Sequence, residues 1–312
     1  MTKCLIAYNP AAGRYPSRML VERAGKNFKA YGWNVQFEPT NNGAHITQLA
    51  RQAALEGLDY FIIAGGDGSI NRAIAGLVGS ETALGILPAG TSNVWAQELG
   101  LPGLTWTRWM ALEESARRLV DGRVMVVDVG LCNTEPFLLW AGVGLDGFIV
   151  NRMEPRGKWS KHFSVVRYAA SVVWHAGFWH GMNLRVAVDG ERITTGHYLL
   201  AVVSNIRLYA GGIAELSPSA RLDDGFMDLW LFDGETLGDT VQLAWELWSG
   251  KHIRSDRVKS HKFQNLNMES DAPVYVQLDG EPSGGEGSVA ITVKPAALHV
   301  LVPRDVPNEL FV

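Results

Sequence analysis

A glycine-rich loop with a single carboxylate is the part of this sequence best suited to chemistry. Residues 65–69 read Gly-Gly-Asp-Gly-Ser and directly follow the apolar stretch 60–64. The glycines allow a sharp turn and a close approach of another group to the backbone. If a helix begins here, its free N–H groups and positive dipole end favour a phosphate. Asp67 would repel that phosphate unless a divalent cation, or a hydroxyl that loses its proton, lies between them.

Two regular elements must hold this loop in place. The stretch 60–64 predicts a buried strand, and the apolar residues between Ile70 and Leu77 recur at helical spacing. Ser69 is placed to cap that helix. An ordinary strand-to-helix turn uses the same residue types, so the loop by itself leaves a phosphate site and a plain turn open.

Length and composition exclude several classes of protein. A chain of 312 residues with 47% hydrophobic and 19% charged residues can form two folded domains and is not disordered. A net charge of −4 gives no basic face for nucleic acid. Cys4 and Cys132 provide neither a disulfide framework nor metal-ligand spacing, as expected in a reducing cytoplasm. No apolar stretch approaches the ~20 residues of a membrane span and no signal peptide is evident, which predicts a soluble, cytoplasmic protein.

The first part of the chain alternates between strand and helix patterns. Strands are predicted at residues 4–8, 34–38, 60–64 and 82–87. Helices are predicted between them, at about 17–31, 46–55 and after the glycine loop. This βα-repeat predicts a mostly parallel sheet covered by helices. No G-x-x-x-x-G-K-[ST] motif occurs, which argues against a P-loop nucleotide site.

From about Arg123 onward the pattern changes to many short strands with few helices. Such a pattern predicts an antiparallel second domain, a β-sandwich. The expected fold class is therefore α/β plus all-β, with the active site in the cleft between the two domains. Residues 1–123, with a C-terminal tail of about 303–312, would form the nucleotide-binding α/β domain. Residues 124–302 would form the β-rich lipid or substrate domain.

An aromatic stretch, residues 159–180, interrupts the strands of the second part. It is bounded by Arg152, Arg156, Lys158 and Lys161. The stretch fits a mouth for a lipid tail with basic residues near anionic headgroups. It fits equally a helix that packs on the sheet through its aromatic face, and both interpretations stay open.

Six motifs, in order along the chain, resemble the diacylglycerol kinase catalytic-domain family, which takes in soluble bacterial lipid kinases, sphingosine kinases and ceramide kinases. They lie at residues 9–13 (NPAAG), 65–69 (GGDGS), 88–93 (PAGTSN), 128–130 (DVG), 218–228 (PSARLDDGFMD) and 279–281 (DGE). The glycine-loop signature also occurs in NAD kinases, whereas the two late motifs favour the lipid kinases. Two departures leave the tuning of the site open: Val94 replaces the family's usual Asp, and Arg72 replaces a frequent Glu.

The resemblance implies that ATP lies on the first domain. The residues it implies for ATP are Asn9, Pro10, Ala11, Ala12, Gly13, Thr40, Gly65, Gly66, Asp67, Gly68, Ser69, Asn71, Gly90, Thr91 and Asn93. For Thr40 the residues alone leave a second role open, because either Thr40 or Asn42 could cap the helix that follows.

The resemblance also implies the catalytic carboxylates. Phosphoryl transfer requires positioning, charge neutralisation and a carboxylate that accepts the hydroxyl proton. Glu281 is the first candidate for this base and Asp67 is the alternative. Asp67 and Asp128 would otherwise hold catalytic Mg²⁺, directly or through water.

A structural Mg²⁺ is implied at the acidic turn of the fifth motif. Its ligands would be the Asp224 carboxylate and the backbone carbonyls of Arg221 and Phe226. Mg²⁺ prefers a few hard oxygen ligands together with waters, so such a site is chemically reasonable. The residues by themselves fit equally an acidic turn that binds no metal.

The resemblance predicts an ATP-dependent lipid kinase that phosphorylates a hydroxyl of diacylglycerol or a related lipid in phospholipid biosynthesis. Its partners would be ATP, Mg²⁺ and the lipid substrate, with a transient, reversible contact with the inner membrane surface and no nucleic acid. One alternative is an NAD-kinase-like or other small-molecule kinase. Another is a non-catalytic lipid-binding module on this fold, suggested by Val94 and Arg72. The acceptor lipid and the oligomeric state, a homodimer included, stay open.

Overall fold

The computed structural model describes residues 1–10, 17–105, 107–153, 179–284 and 287–312. The chain divides into two compact units. Unit 1 contains Met1–Val129, Arg221–Gly225 and Lys294–Val312, and unit 2 contains Gly130–Ala220 and Phe226–Val293. Residues 154–178, which include most of the aromatic stretch, lie outside the described residues.

Unit 1 is built on a parallel sheet, and three of its first four strands are apolar and buried along most of their length. Its strands are β1 (Lys3–Tyr8), β2 (Asn34–Pro39), β3 (Tyr60–Gly65) and β4 (Ala83–Pro88). They pair in the order β2-β1-β3-β4. The last strand of the chain, β17 (Ser288–Val302), adds to this sheet in parallel, with Val300 opposite Leu84. Near-continuous apolar strands are typical of a parallel sheet covered on both faces.

The helices of unit 1 follow these strands. They are α1 (Ser17–Ala30), α2 (Gly43–Leu55), α3 (Asp67–Leu77), α4 (Val94–Glu98) and α5 (Ala111–Val120). Amphipathic spacing explains their packing, since α3 buries Ile70, Ala73, Ile74 and Leu77. The predicted βα-repeat unit is therefore confirmed.

Unit 2 is formed mostly by antiparallel strands. The strands between β4 and β17 are β5 (Arg123–Cys132), β6 (Glu135–Phe137), β7 (Trp140–Gly144), β8 (Met182–Val188), β9 (Glu191–Ser204), β10 (Leu208–Tyr209), β11 (Ala214–Glu215), β12 (Met227–Asp233), β13 (Val258–Phe263), β14 (Asn265–Glu269), β15 (Val276–Leu278) and β16 (Glu281–Ser283). Its described helices are α6 (Leu145–Met153) and α7 (Leu237–Trp248). The chain passes from unit 1 to unit 2 within β5 and returns within β17.

The long strand β9 organises unit 2. Its first half pairs with β8, and its second half pairs with β7 on one side and β12 on the other. Alternate residues of these strands, including Val186, Val203 and Leu231, are completely buried in one apolar core. The predicted antiparallel β-rich unit is confirmed. Among the described residues, no helix combines the length and apolarity needed to cross a bilayer.

Candidate functional site

The glycine loop joins β3 to α3 with almost no intervening chain. β3 ends at Gly65 and α3 begins at Asp67, so Gly66 is the N-cap and has extended backbone with no side chain to cap the helix. The prediction that Ser69 caps this helix was wrong, because Ser69 is the third residue of α3. With no capping side chain, the start of α3 can receive an anion, and of its first amides the Ser69 N–H already donates to the Gly66 carbonyl (2.9 Å).

The second loop, between β4 and α4, is closed by its own asparagine. Asn93 has left-handed backbone, and its side chain accepts a hydrogen bond from the Gly90 N–H (2.9 Å) and donates one to the Gly90 carbonyl (2.9 Å). Thr91 lies on the exposed side of this ring, whereas Asn93 is buried. Asn tolerates the left-handed region better than most residues, which explains its place here.

The two loops touch each other through their glycines. A Cβ added to Gly90 would lie 2.5 Å from the Gly66 Cα, and the Ala89 N–H donates to the Gly65 carbonyl over 3.1 Å. Glycine is therefore required at position 90 for loop-to-loop packing within the protein itself. From the sequence, this glycine stands only among the residues implied for ATP.

Asp67 fastens the two loops together. Its two carboxylate oxygens accept hydrogen bonds from the backbone N–H groups of Val94 (3.0 Å) and Trp95 (3.1 Å) at the start of α4. Burial raises the pKa of the Asp67 carboxyl above its ordinary value, against the lowering effect of these amide bonds. Val94 stands where the family usually has Asp. This difference leaves the contact unaffected, since every non-proline residue supplies the same backbone N–H. The roles of Asp67 as base or metal holder stay predictions.

Thr40 follows β2 and has a buried hydroxyl that is unsatisfied. Its side chain is 2% exposed, and its Oγ1 has no hydrogen-bond partner among the described residues. The N-cap of α2 is Asn42, whose side chain accepts from the His45 N–H at 2.9 Å. Of the two capping residues left open by the sequence, Asn42 is the correct one.

The ends of β1 to β4 bring these residues to one edge of the sheet. Tyr8 is in register with both Pro39 and Ala64, and Gly65 is in register with Pro88. The carboxyl ends of these four neighbouring strands are therefore followed by Asn9, Thr40, Gly66 and Gly90. Because β2 and β3 lie on opposite sides of β1, the strand order reverses between β1 and β3, and open α/β sheets bind ligands at such a point. Of the first motif, Asn9 and Pro10 are described, whereas Ala11, Ala12 and Gly13 lie outside the described residues.

Asp128 holds the acidic turn of residues 221–225 within unit 1. Its carboxylate is 1% exposed and accepts hydrogen bonds from the N–H groups of Gly225 (2.6 Å) and Ala296 (2.8 Å). Burial raises the pKa of Asp128, and the charges of Asp224 and Asp223 raise it further against the lowering amide bonds. The structure gives Asp128 a supporting role in this turn, and its assignment as a catalytic metal holder stays a prediction.

The C-terminus of the chain anchors the same turn. The Arg221 Nη1 donates to the Phe311 carbonyl (2.6 Å), and the Val312 N–H donates to the Asp223 carboxylate (2.8 Å). In the described part of the chain, no group of three or more His, Cys, Asp and Glu side chains could hold a metal ion. A metal at this turn would rest on the partly exposed Asp224, on backbone carbonyls and on waters.

The last motif forms a tight hairpin in unit 2. Asp279 and Gly280 both have positive φ and connect β15 to β16, as a two-residue hairpin turn requires. The buried Asp279 carboxylate accepts hydrogen bonds from three backbone N–H groups, those of residues 138, 139 and 140, over 2.8–3.0 Å. Glu281, the first residue of β16, is partly exposed. The two carboxylates of this motif are thus different, because Asp279 is structural and Glu281 is accessible.

Two family models match the chain in succession. The model described as the diacylglycerol kinase catalytic domain matches residues 3–132. The model described as the YegS C-terminal NAD kinase beta sandwich-like domain matches residues 141–302, which is more than half of the chain. The chain belongs to the diacylglycerol kinase catalytic-domain family. This assigns the second unit to a β-sandwich and confirms the predicted fold class and the predicted family.

Similar proteins from bacteria match this family member over nearly its whole length. A diacylglycerol kinase of Bacillus subtilis (strain 168) is 24% identical, with 99% of both chains covered. A diacylglycerol kinase of Mycobacterium tuberculosis (strain H37Rv) is 28% identical over 95% of this chain and 94% of that protein. A crystal structure of a diacylglycerol kinase from Bacillus anthracis str. Sterne has the same fold, with a TM-score of 0.72, 20% identity and 98% of each chain covered. The protein is therefore a member of a lipid-kinase family.

A buried network beside the family's last motif was not recognised in the sequence. The Asp146 carboxylate accepts hydrogen bonds from the Tyr209 hydroxyl (2.7 Å) and from the Gln277 Nε2 (2.7 Å). The Gln277 Oε1 accepts from the Gly280 N–H (2.7 Å), which connects Asp146 to the turn before Glu281. Burial raises the pKa of Asp146, and its two hydrogen bonds oppose that shift. A Cβ on Gly142 would lie 2.4 Å from the same carboxylate, so the glycine there makes room for it.

Proposed function

We propose that the protein is an ATP-dependent lipid kinase that transfers the γ-phosphoryl group to a hydroxyl of diacylglycerol or a related lipid. The single observation that carries the nucleotide part of this proposal is the meeting of four loops at the carboxyl edge of the parallel sheet, at the point where strand order reverses. The lipid part rests on the family, of which two bacterial relatives carry the name diacylglycerol kinase.

The proposed ATP site uses the first amides of α3 for the phosphates. Gly66 caps that helix without a competing side chain, and the Gly90–Asn93 ring stands directly against it. The hydroxyl of Thr40 supports the same location, because a buried hydroxyl without a partner costs about 1–3 kcal/mol unless a ligand satisfies it. Asn9, Gly65, Gly68, Ser69, Asn71 and Thr91 are proposed as further contacts.

Mg²⁺ is proposed to be held near Asp67 and Asp128. When bound, Mg²⁺ would neutralise part of the phosphate charge and favour transfer. Asp67 accepts amide hydrogen bonds from Val94 and Trp95, and Asp128 accepts them from Gly225 and Ala296. The hydrogen bonds to the backbone keep each carboxylate in one orientation, so both carboxylates are preorganised before substrate binds.

Glu281 is proposed as the general base that accepts the proton of the acceptor hydroxyl. It is accessible, and it follows a turn fixed by Asp279 and by Gln277. A carboxylate on such a rigid hairpin can be positioned accurately, and positioning is most of what phosphoryl transfer asks of a protein.

The proposed reaction can be tested with γ-labelled ATP and Mg²⁺. The purified protein is incubated with mixed micelles that contain diacylglycerol, a sphingoid base or ceramide, and the products are identified by mass spectrometry. A new lipid phosphate, formed in proportion to label transfer, is expected. Label in NAD or another soluble acceptor would indicate a small-molecule kinase instead. Lipid binding without any labelled product would indicate a non-catalytic module.

A Thr40→Val variant should weaken ATP binding and leave the protein at least as stable as before. Valine keeps the shape of threonine but removes the hydroxyl, so the loss of one hydrogen bond predicts roughly 3- to 12-fold weaker ATP binding. In the absence of ATP the variant should not lose stability, since the hydroxyl it removes is buried without a partner. Calorimetry with ATP and thermal unfolding measure the two effects.

Thr82→Val is the matched control for this variant. Thr82 is also 2% exposed, but its hydroxyl donates to the Leu58 carbonyl at 2.7 Å. Removing it should lower the free energy of unfolding by about 1 kcal/mol or more and leave ATP binding unchanged. Equal ATP affinity in wild type and Thr40→Val would place the nucleotide away from Thr40.

A further inference from the structure

The helix α7 exposes one apolar face in addition to the face it buries. The buried face consists of Thr240, Leu243 and Leu247. The other apolar residues of the helix are largely exposed: Leu237 (42%), Val241 (55%), Trp245 (54%) and Trp248 (63%). The Trp245 and Trp248 rings pack side by side, with centroids 5.2 Å apart. Large exposed tryptophans clustered in this way indicate an interaction surface.

Charge is distributed unevenly around α7. At about 100° per residue, the four exposed apolar residues fall within an arc of about 80°. The acidic residues Asp239 and Glu246 lie about 100° or more from this arc by the same geometry. Asp239 pairs with Arg257, and Glu246 accepts a hydrogen bond from Gln242, so both acids are engaged elsewhere. The exposed apolar arc therefore contains no acidic residue.

Two basic residues follow the helix directly. After Gly250 the chain forms a short 3-10 helix, Lys251–Arg254, in which Ile253 is 54% exposed. Lys251 and Arg254 are exposed as well, and among the described residues neither makes an ion pair. Exposed apolar, aromatic and basic side chains thus occur together within one short stretch of the chain, residues 237–254.

We propose that the exposed apolar residues of α7, together with Lys251, Ile253 and Arg254, form a surface, the α7 surface, that docks on an anionic lipid bilayer. Tryptophan is the residue that favours the interface between hydrocarbon and water, and the aliphatic residues beside it can enter the acyl region. Lys251 and Arg254 are suited to anionic headgroups. This inference rests on the proposed function, because it describes how a kinase with a lipid acceptor would reach its substrate.

A second copy of this chain fits the α7 surface less well than a bilayer does. In a two-fold symmetric dimer the same surface faces itself, so Lys251 and Arg254 would approach like charges with no acid in the patch to pair with. The net charge of −4 opposes adsorption to an anionic membrane over long distances. That repulsion is screened beyond about 10 Å at ordinary ionic strength, which leaves the local basic residues decisive.

The apolar part of the inference can be tested by vesicle flotation without ATP. The double variant Trp245→Ala/Trp248→Ala should bind at least about tenfold more weakly to vesicles of phosphatidylcholine and to vesicles of equal parts phosphatidylcholine and phosphatidylglycerol. Trp109→Ala is the matched control, because Trp109 is 55% exposed but belongs to unit 1, and its binding should equal that of wild type. Thermal unfolding checks that each variant is folded.

The two basic residues of the α7 surface should affect vesicle binding differently from the two tryptophans. Replacing Lys251 and Arg254 by Gln should weaken binding about fivefold for each charge on the phosphatidylglycerol vesicles and leave binding to pure phosphatidylcholine unchanged. Lys26→Gln/Arg51→Gln makes the same change of net charge with two exposed residues of unit 1 and should have no effect. Equal losses from both pairs would mean that net charge alone matters and would overturn the assignment.

Two further measurements test whether a second copy of the chain covers the α7 surface and whether the proposed kinase function is correct. If sedimentation shows that the Trp variant converts a dimer to a monomer, the surface contacts a second copy and the bilayer proposal fails. Phosphorylation of a short-chain, water-soluble diacylglycerol should be unchanged in the α7 variants. A wild type that phosphorylates no lipid but loses vesicle binding in these variants would reject the proposed function and keep the docking surface. Normal kinase activity together with unchanged vesicle binding in the variants would reject the docking surface and keep the proposed function.

Discussion

Replacing Glu281 by Gln is expected to lower lipid phosphorylation by a factor on the order of 10²–10⁴ and to leave ATP affinity within about twofold of wild type. Glutamine keeps the length and shape of the side chain but cannot accept the proton of the acceptor hydroxyl. ATP affinity should persist because every residue proposed to bind ATP belongs to unit 1, whereas Glu281 belongs to unit 2.

The backbone around Glu281 should survive this substitution. The hairpin turn is held by the Asp279 carboxylate on three backbone amides and by the Gln277 side chain on the Gly280 N–H. None of these bonds uses the Glu281 side chain. A loss of turnover in a variant whose thermal unfolding matches that of wild type can therefore be assigned to chemistry and not to a displaced hairpin.

Glu135→Gln is a suitable control for the same hairpin. The Glu135 carboxylate accepts a hydrogen bond from the Ser283 hydroxyl of β16 at 2.9 Å, so it touches the strand that carries Glu281. This change should leave turnover within about twofold, because an exposed hydrogen bond contributes little. Near-normal turnover of Glu281→Gln would move the base to Asp67. A collapse of ATP affinity in that variant would make Glu281 a nucleotide or metal ligand.

Regular structure with a strong local pattern was predictable from the sequence. The first four strands of unit 1 and the helices between them follow directly from local residue patterns. The turn between β8 and β9 was predictable from its residue types, because Asp-Gly is favoured where a two-residue hairpin needs positive φ. Both Asp189 and Gly190 adopt positive φ in the structure. These features depend on residues that are neighbours in the chain.

The contacts that hold the candidate site were not predictable because they join distant residues. Asp146 contacts Tyr209 and Gln277, which are 63 and 131 positions away. Asp128 binds the amides of residues 225 and 296, at separations of 97 and 168 positions. A single sequence shows a carboxylate but not the backbone N–H groups that it meets after folding.

Local capping was misjudged for a different reason. Ser69 and Thr40 both have side chains that often cap helices, and the residues that actually cap are Gly66 and Asn42. Capping preferences differ by roughly 1 kcal/mol between residue types. Gly66 also lies against Gly90 of the second loop and Thr40 is buried, and a single sequence shows neither of these tertiary features.

Asp67→Asn is expected to reduce turnover on the order of 10²-fold or more, whether Asp67 acts as base or orients a metal ion. The substitution also has a structural cost. One carboxylate oxygen becomes an NH₂ group that faces a backbone N–H of residue 94 or 95, so one of the two hydrogen bonds is lost. The variant should therefore be less stable by about 1–3 kcal/mol, which thermal unfolding can measure.

Gly90→Ala separates these two effects. Its added Cβ would lie 2.5 Å from the Gly66 Cα, so this change forces the two loops apart and leaves the Asp67 carboxylate in place. If Asp67 matters only as the link between the loops, the two variants should lose ATP affinity and turnover in the same proportion. If Asp67 also acts in the reaction, Asp67→Asn should lower kcat far more than it raises the KM for ATP.

The comparison of kcat and KM decides the role of Asp67. An interaction made only in the transition state lowers kcat and kcat/KM equally, whereas lost ground-state binding raises KM. We expect Gly90→Ala to act mainly on the KM for ATP, because it disturbs the loops that would receive the phosphates. We expect Asp67→Asn to act mainly on kcat. An Asp67→Asn variant that retains about a tenth or more of wild-type kcat would exclude Asp67 as base and as metal holder, and would leave it as the clamp that Val94 and Trp95 show it to be.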